Sequence, residues 1–345
     1  MNRPIPRART GLFRTSPSAT DDTNSRAPGI RWNTAFNRLF RRARKLAAEL
    51  TDPPGRAEAP GAPPEFEPIK RVVLTDEVSR TLFEEYIAHR KSERGNEETG
   101  WVLLGLRKAD EAVVLATLPA VADRDAGEAH VWITGPAHVL ASRIVRQEDR
   151  RLAMLGVVHT HPGSLRHPSK GDYRGDREWV PQLRGGEGVF GIGTADAETE
   201  PGGTPISSHP QPHVQTFGPL RFSWYTLAEG EKRYREVPIE LTIGPDVARL
   251  LRPVWSAIEE HAERLDRLAR QQARVRFDVV EGKQGPALSA TVTLAEPEKA
   301  VRVTIEGKEV RYFYESGGET FQVDLPDAAP DQGVYLLLAE LAAKG

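Results

Sequence analysis

Cysteine is absent from the 345 residues. Its absence removes disulfides, thiolate nucleophiles and Cys-based zinc sites together. It also excludes the nucleobase deaminases, whose metal site needs a Pro-Cys-x-x-Cys pair. The His-Glu-x-x-His arrangement of helix-borne zinc peptidases does not occur either. No stretch approaches the roughly eighteen consecutive apolar residues of a membrane-spanning helix. The opening MNRPIPRARTG lacks the apolar core of a signal peptide, so a cytoplasmic location is expected. Net charge is almost missing: −2 overall argues against nucleic acid as a partner. That small total hides an asymmetry. Residues 1–50 hold ten Arg and one Lys against Asp21, Asp22 and Glu49, a balance of +8 that leaves about −10 for the rest.

The length allows two domains, and 39% hydrophobic residues supply an ordinary core. Composition divides the chain at residues 1–68, 69–240 and 241–345. Residues 1–30 and 52–68 are rich in Pro and small or polar residues and hold too little apolar material to offset ordering entropy, so disorder is expected in both. Between them, at about 33–50, Phe36, Leu39, Phe40, Ala43, Leu46, Ala47 and Leu50 recur at helical spacing among arginines. This is a basic amphipathic helix suited to a partner, an acidic surface, a membrane interface or the rest of its own chain.

The most informative stretch is Val158 to Asp172, VHTHPGSLRHPSKGD. The apolar run from Leu152 to Val158 reads as a central strand buried on both faces. Side chains alternate along a strand, so His159 and His161 at its end point to the same side. The ten-residue loop that follows is long enough to return a carboxylate, Asp172, to the same point. Two neutral imidazoles and one carboxylate are the ligand set of a catalytic Zn²⁺ whose fourth position is kept for water. The His-x-His-Pro element alone is a weak signal, because two strand histidines can face solvent or sit satisfied in a core.

A second element lies 61 positions before His159: Glu98-Thr99-Gly100-Trp101-Val102-Leu103-Leu104-Gly105. It resembles the Glu-x-x-Gly-x-Leu-x-Gly box of the JAMM (MPN+) zinc metallopeptidases, the Mov34/PAD-1 and prokaryotic JAB-type family. The downstream stretch is similar to that family's His-x-His-Pro…Ser-x-x-Asp signature, with Ser169 and Asp172 at matching positions. The resemblance covers roughly residues 70–240. It implies an α/β fold, a cytidine-deaminase-like αβα sandwich, with Zn²⁺ on His159, His161 and Asp172. It further implies Glu98 as general base and Ser169 as a donor to the developing oxyanion. An alternative task for Ser169 is to cap a helix around Asp172. Family members with this ligand set cleave isopeptide bonds behind the C-terminus of ubiquitin or a ubiquitin-like protein, and others act in sulfur-carrier processing. In bacteria similar domains accompany ubiquitin-like conjugation enzymes, some in antiviral defence. The competing readings are a noncatalytic scaffold of the same fold and a hydrolase of an unrelated peptide or amide.

Elsewhere in 69–240 the pattern is that of an α/β domain. A strand near Arg71 to Leu74 leads to a helix capped by Thr75 or Asp76. Strands follow at Gly100 to Leu106 and Glu111 to Leu118, then near His130 to Ile133, ahead of a helix opened by Pro136. A helix is expected from Asp172 toward Leu183, with Trp179 shielding the site or packing, and a buried strand from Gly188 to Thr194. The Pro/Gly-rich loop that follows holds His209 and His213, which lack a telling carboxylate, and is a candidate substrate contact or a disordered insertion. His167, inside the metal loop, is within reach of the metal or a leaving group but reads first as solvent-facing. In 241–345 a helix from about Pro253 to Ala273 precedes period-two strands beginning at Leu288, Val301, Val310 and Phe321, with turns at Gly307-Lys308 and Gly317-Gly318. A terminal helix from Tyr335 to Ala343 closes this β-rich α+β module, which carries no catalytic motif.

Overall fold

The computed structural model describes residues 66–120, 135–195 and 211–344. The amphipathic segment at 33–50, the Pro-rich linker up to residue 65, the strand expected near His130 and most of the loop holding His209 lie outside the described residues. β1 (Arg71–Thr75) passes into α1 (Asp76–Lys91). Thr75 is the N-cap, its hydroxyl accepting from the Val78 amide at 3.3 Å, and Asp76 and Glu77 sit where the helix dipole favours acids. Then come β2 (Gly100–Arg107), β3 (Glu111–Pro119), α2 (Pro136–Val145), β4 (Ala153–Thr160), α3 (Lys170–Asp176) and β5 (Glu187–Thr194). β6 (Val214–Phe217), β7 (Leu220–Ala228), β8 (Arg235–Glu236) and β9 (Ile239–Thr242) complete a nine-stranded sheet. Its order is β6-β7-β5-β4-β2-β3-β1-β9, with β8 joining β7.

β4 lies in the middle of this order, antiparallel to β2 and parallel to β5, and all eight of its residues are buried. Burial on both faces is what its unbroken apolar run requires. Gly156 is fixed by contact: at φ +154° a Cβ there would lie 1.8 Å from the Val189 carbonyl oxygen of β5. One face of the sheet packs Val72, Leu74, Trp101, Leu103 and Phe222 against Val78, Leu82 and Phe83 of α1. The opposite face packs Val102, Leu104, Val157 and Ile192 with Leu140 and Ile144 of α2.

A second sheet is a simple antiparallel meander of β10 (Val275–Glu281), β11 (Pro286–Thr293), β12 (Lys299–Glu306), β13 (Glu309–Ser316) and β14 (Glu319–Val323). Its last two hairpins turn at Gly307 and at Gly317-Gly318, all with positive φ, as tight turns between twisted strands demand. α4 (Trp255–Gln271), entered through a 3-10 turn at Arg249–Val254, and α5 (Pro330–Lys344) supply its packed face.

This module has its own sheet but not its own core. One cluster of buried residues runs from Val102 and Leu140 through Ile258 and Leu265 to Val303, Ile305 and Tyr312. Polar bonds reinforce the joint. Gln147 exchanges two 2.8 Å hydrogen bonds with the backbone of Phe277, and Arg143 pairs with the buried Asp266 at 3.0 Å. The buried His138 donates through Nε2 to the Pro119 carbonyl at 2.8 Å and meets Trp255 edge to face at 5.7 Å. Burial drives the His138 pKa down to about 4, outweighing the carbonyl that favours its protonated form. Among the described residues no helix is long and apolar enough to cross a membrane.

Candidate metal centre

β4 delivers its two histidines to one side because it stays extended through Thr160. The start of β2 is stapled to this end: Thr160 N donates to the Thr99 carbonyl at 2.8 Å, and Thr99 N donates to the Thr160 hydroxyl at 2.9 Å. Gly100 stands opposite His159 in the ladder. Glu98, half-buried and two residues ahead of β2, is thereby held beside the histidine strand, where its charge acts on His159.

His161 hydrogen-bonds the Leu165 carbonyl through Nδ1 at 2.7 Å. A carbonyl only accepts, so Nδ1 carries the proton and Nε2 presents a lone pair. That Nε2 lies 3.1 Å from Nε2 of His159. The Asp172 carboxylate faces both, 3.5 Å from each Nε2. The three ligand atoms all fall within 4.8 Å of one another.

Asp172 is brought there by a capping box at the start of α3. Ser169 N donates to Asp172 Oδ2 at 2.5 Å, while Gly171 N and Asp172 N donate to Ser169 Oγ at 3.1 Å each. Ser169 is thus the helix cap, and because its oxygen accepts both bonds, its O–H proton is left to donate elsewhere. The expected helix from Asp172 toward Leu183 is shorter than the sequence pattern indicates: α3 ends at Asp176, and a 3-10 turn at Val180–Gln182, with Pro181 inside it, takes over.

The electrostatics favour a cation among these three groups. Burial lowers the His159 pKa, but the Asp172 carboxylate, helped by Glu98 and Asp176, outweighs it and holds the value above an ordinary histidine's. Burial acts to raise Asp172, yet bonds from both histidines and the Ser169 amide hold it far below the usual carboxylate range. Two imidazole lone pairs and an ionised carboxylate converging on one point are a donor set for a divalent metal with room for another ligand.

The structure brings together His159, His161 and Asp172 as the sequence indicates. His167 is exposed and outside this cluster. His213 opposes Glu236 at 3.4 Å and packs on Tyr225, also outside it. Trp179 packs on Phe190 and donates to Asp176 at 3.2 Å. Asp176 itself escapes a reading of the sequence. It lies four residues beyond Asp172, on the same helix face, and accepts a 2.6 Å bond from the Tyr234 hydroxyl. Burial pushes its carboxyl up to about 7, against the opposing pull of Tyr234 and His159. The i, i+4 spacing to Asp172 was the available signal. Tyr234, 58 positions downstream, offered none.

The family of prokaryotic homologs of the JAB domain matches residues 79–202. That span includes Glu98, His159, His161, Ser169 and Asp172. Among solved structures, the chain is similar to a protein from Desulfitobacterium hafniense determined in solution, at 19% identity, over 51% of this chain and 95% of that one, with a TM-score of 0.32. A likeness that loose carries no argument. No curated protein matches the chain.

Proposed function

Starting from a chain that carries a JAB-family domain with the His-His-Asp triad of the JAMM metallopeptidases, we propose a zinc isopeptidase or peptidase that cuts the bond following the C-terminus of a ubiquitin-like protein. Deconjugation and precursor processing are the same reaction on an isopeptide or a peptide bond. The observation that carries the reading is the convergence of His159 Nε2, His161 Nε2 and the Asp172 carboxylate on one point beside Glu98. These three residues would hold Zn²⁺, which when bound acidifies water and polarises an amide carbonyl.

The remaining work falls to the chain's own groups. The Glu98 carboxylate accepts a proton from the attacking water and returns it to the departing amine nitrogen. The Thr99–Thr160 staple fixes Glu98 relative to His159, so this proton moves over a constant distance. The Ser169 hydroxyl, both lone pairs engaged by α3 amides, donates its proton toward the oxygen on which negative charge develops. A sheet with α1 on one face and α2 on the other supports the deaminase-like αβα sandwich. The substrate class rests on the family resemblance. The proposed setting is the cytosol, in a bacterial ubiquitin-like conjugation pathway alongside the enzymes that attach the modifier.

The first test is zinc content of the purified full chain and of the His159→Ala/His161→Ala variant, followed by cleavage of ubiquitin-like fusions. About one zinc per chain, lost in the variant, with fusion cleavage abolished by Glu98→Gln while zinc is retained, is the expected result. Absence of metal from the wild type after zinc is supplied would overturn the proposal. Cleavage of unrelated peptides with every ubiquitin-like fusion resistant would keep the peptidase and discard the substrate.

A further inference from the structure

The metal centre draws its ligands from two unequal supports. His159 lies near the end of a fully buried central strand and His161 directly follows it. Asp172 rides on α3, seven residues long and without a single buried residue. A helix of under two turns has no stability of its own in water. Its capping box orders only the first turn. What holds the rest of it against the sheet is a set of hydroxyl bonds exchanged with the β7–β8 hairpin.

Tyr234, at the foot of β8, donates to Asp176 Oδ2 at 2.6 Å. From the helix, Tyr173 donates to the Glu231 carbonyl in the turn of the same hairpin at 2.9 Å. Tyr225 on β7 donates to the Arg166 carbonyl at 2.8 Å, fixing the loop just before the cap. The rings behind these hydroxyls form one aromatic layer, with Tyr234 against Tyr173 at 6.2 Å, Phe190 at 5.3 Å and Tyr225 at 6.4 Å. Asp176 and Asp172 lie four residues apart on one helix face, so a bond that fixes the first sets the rotation that aims the second.

We propose that Tyr234, acting through Asp176, is a positioning residue for the metal ligand Asp172, and that the β7–β8 hairpin thereby sets the affinity of the centre for its metal. Tyr234 touches neither metal nor substrate in this role. The proposal rests on the metal-centre reading above, and its test separates the two.

The full-length protein, stripped of metal, is titrated with zinc against a chromophoric chelator. Wild type, Tyr234→Phe, Asp176→Asn and Asp176→Ala are compared, with hydrogen exchange of α3 followed in the metal-free form. Tyr234→Phe keeps the ring and its packing and removes only the hydroxyl. It is expected to weaken zinc binding roughly 10- to 100-fold, the usual cost of losing a partner that orients a ligand. Exchange in α3 should rise while β4 stays protected. Asp176→Asn, which retains an oxygen for the Tyr234 hydroxyl, should keep most of the affinity. Asp176→Ala should match Tyr234→Phe, and the double variant should be no weaker than either. Zinc affinity and α3 protection unchanged in Tyr234→Phe would overturn the positioning role while leaving the metal centre standing. A general loss of protection, β4 included, would reduce Tyr234 to a packing residue and overturn it equally. A wild type that binds no zinc would remove both readings.

Discussion

The two sheets of this protein solve different problems. The nine-stranded sheet has its strands in an order far from that of the chain, and its central strand pairs parallel with β5 through a connection that contains α3. The five-stranded sheet follows the chain strand by strand. The three metal-ligand residues, Glu98 and Ser169 all belong to the first. A parallel pair forces the chain to leave and return over the strand ends, and that excursion is where loops can gather groups remote in sequence. A meander of short hairpins brings together mainly neighbours. The second sheet packs against the first through a shared core, and its loops hold no metal-ligand cluster among the described residues.

If that contrast holds, damage to the first sheet's site and damage to the second sheet's core should separate cleanly. The largest effect belongs to His159→Ala/His161→Ala: complete loss of bound metal by elemental analysis, with circular dichroism retaining the signals of both sheets. Gly156→Ala follows. Its Cβ would sit 1.8 Å from the Val189 carbonyl oxygen, so β4 and β5 must part, and a loss of more than about 3 kcal/mol in urea unfolding is expected. Leu288→Ala truncates a fully buried side chain of the meander and should cost about 2–5 kcal/mol. Because Leu288 shares its cluster with Leu140 and Ile144, one unfolding transition is expected; two resolved transitions would show that the sheets melt independently.

The joint between them carries its own pH signature. His138 has a folded pKa of about 4 against 6.5 when unfolded. The unfolded chain therefore binds the extra proton between these values. Stability from this residue is full above about pH 6.5, falls as pH drops toward 4, and is flat below, a total of about 3 kcal/mol. Denaturation of wild type and His138→Gln across pH 4–7 should show a shallower pH dependence in the variant. The smallest effect is Gly318→Ala, at a turn with φ +84° and nothing within 4 Å of the added Cβ. Strain alone, about 1 kcal/mol, is expected there, against the steric breakage at Gly156.

The contrast also governs what was legible in advance. The meander strands at 288, 301, 310 and 321, with their glycine turns, could be read because period-two burial and local turns are written in adjacent residues. β10 is less legible, because Val275, Phe277 and Val279 alternate with Arg276 and Asp278 but Val280 and Glu281 reverse the period. In the first sheet, β4 was evident from its apolar run and the three ligands from their spacing. β6, β7 and β9 were not. β9 is short and three of its four residues are exposed, so it shows no alternation, and it exists because β1 offers a parallel edge. The end of α3 is less legible, because the capping box announces where a helix starts while no glycine or proline marks its C-cap, Arg177. Asp176 and Tyr234 meet only in three dimensions.

The core that α2 and α4 share carries a consequence for how such a chain can change over generations. A recombination event that joined residues 66–244 to a new partner would carry away α2 with the face that Ile258 and Leu265 now cover. The new neighbour would have to arrive with a matching apolar stripe and a group to meet His138. A domain strung on a loop can be exchanged freely, whereas one that completes its neighbour's interior has to be inherited with it. The meander is joined in this second way to the domain that carries the metal centre.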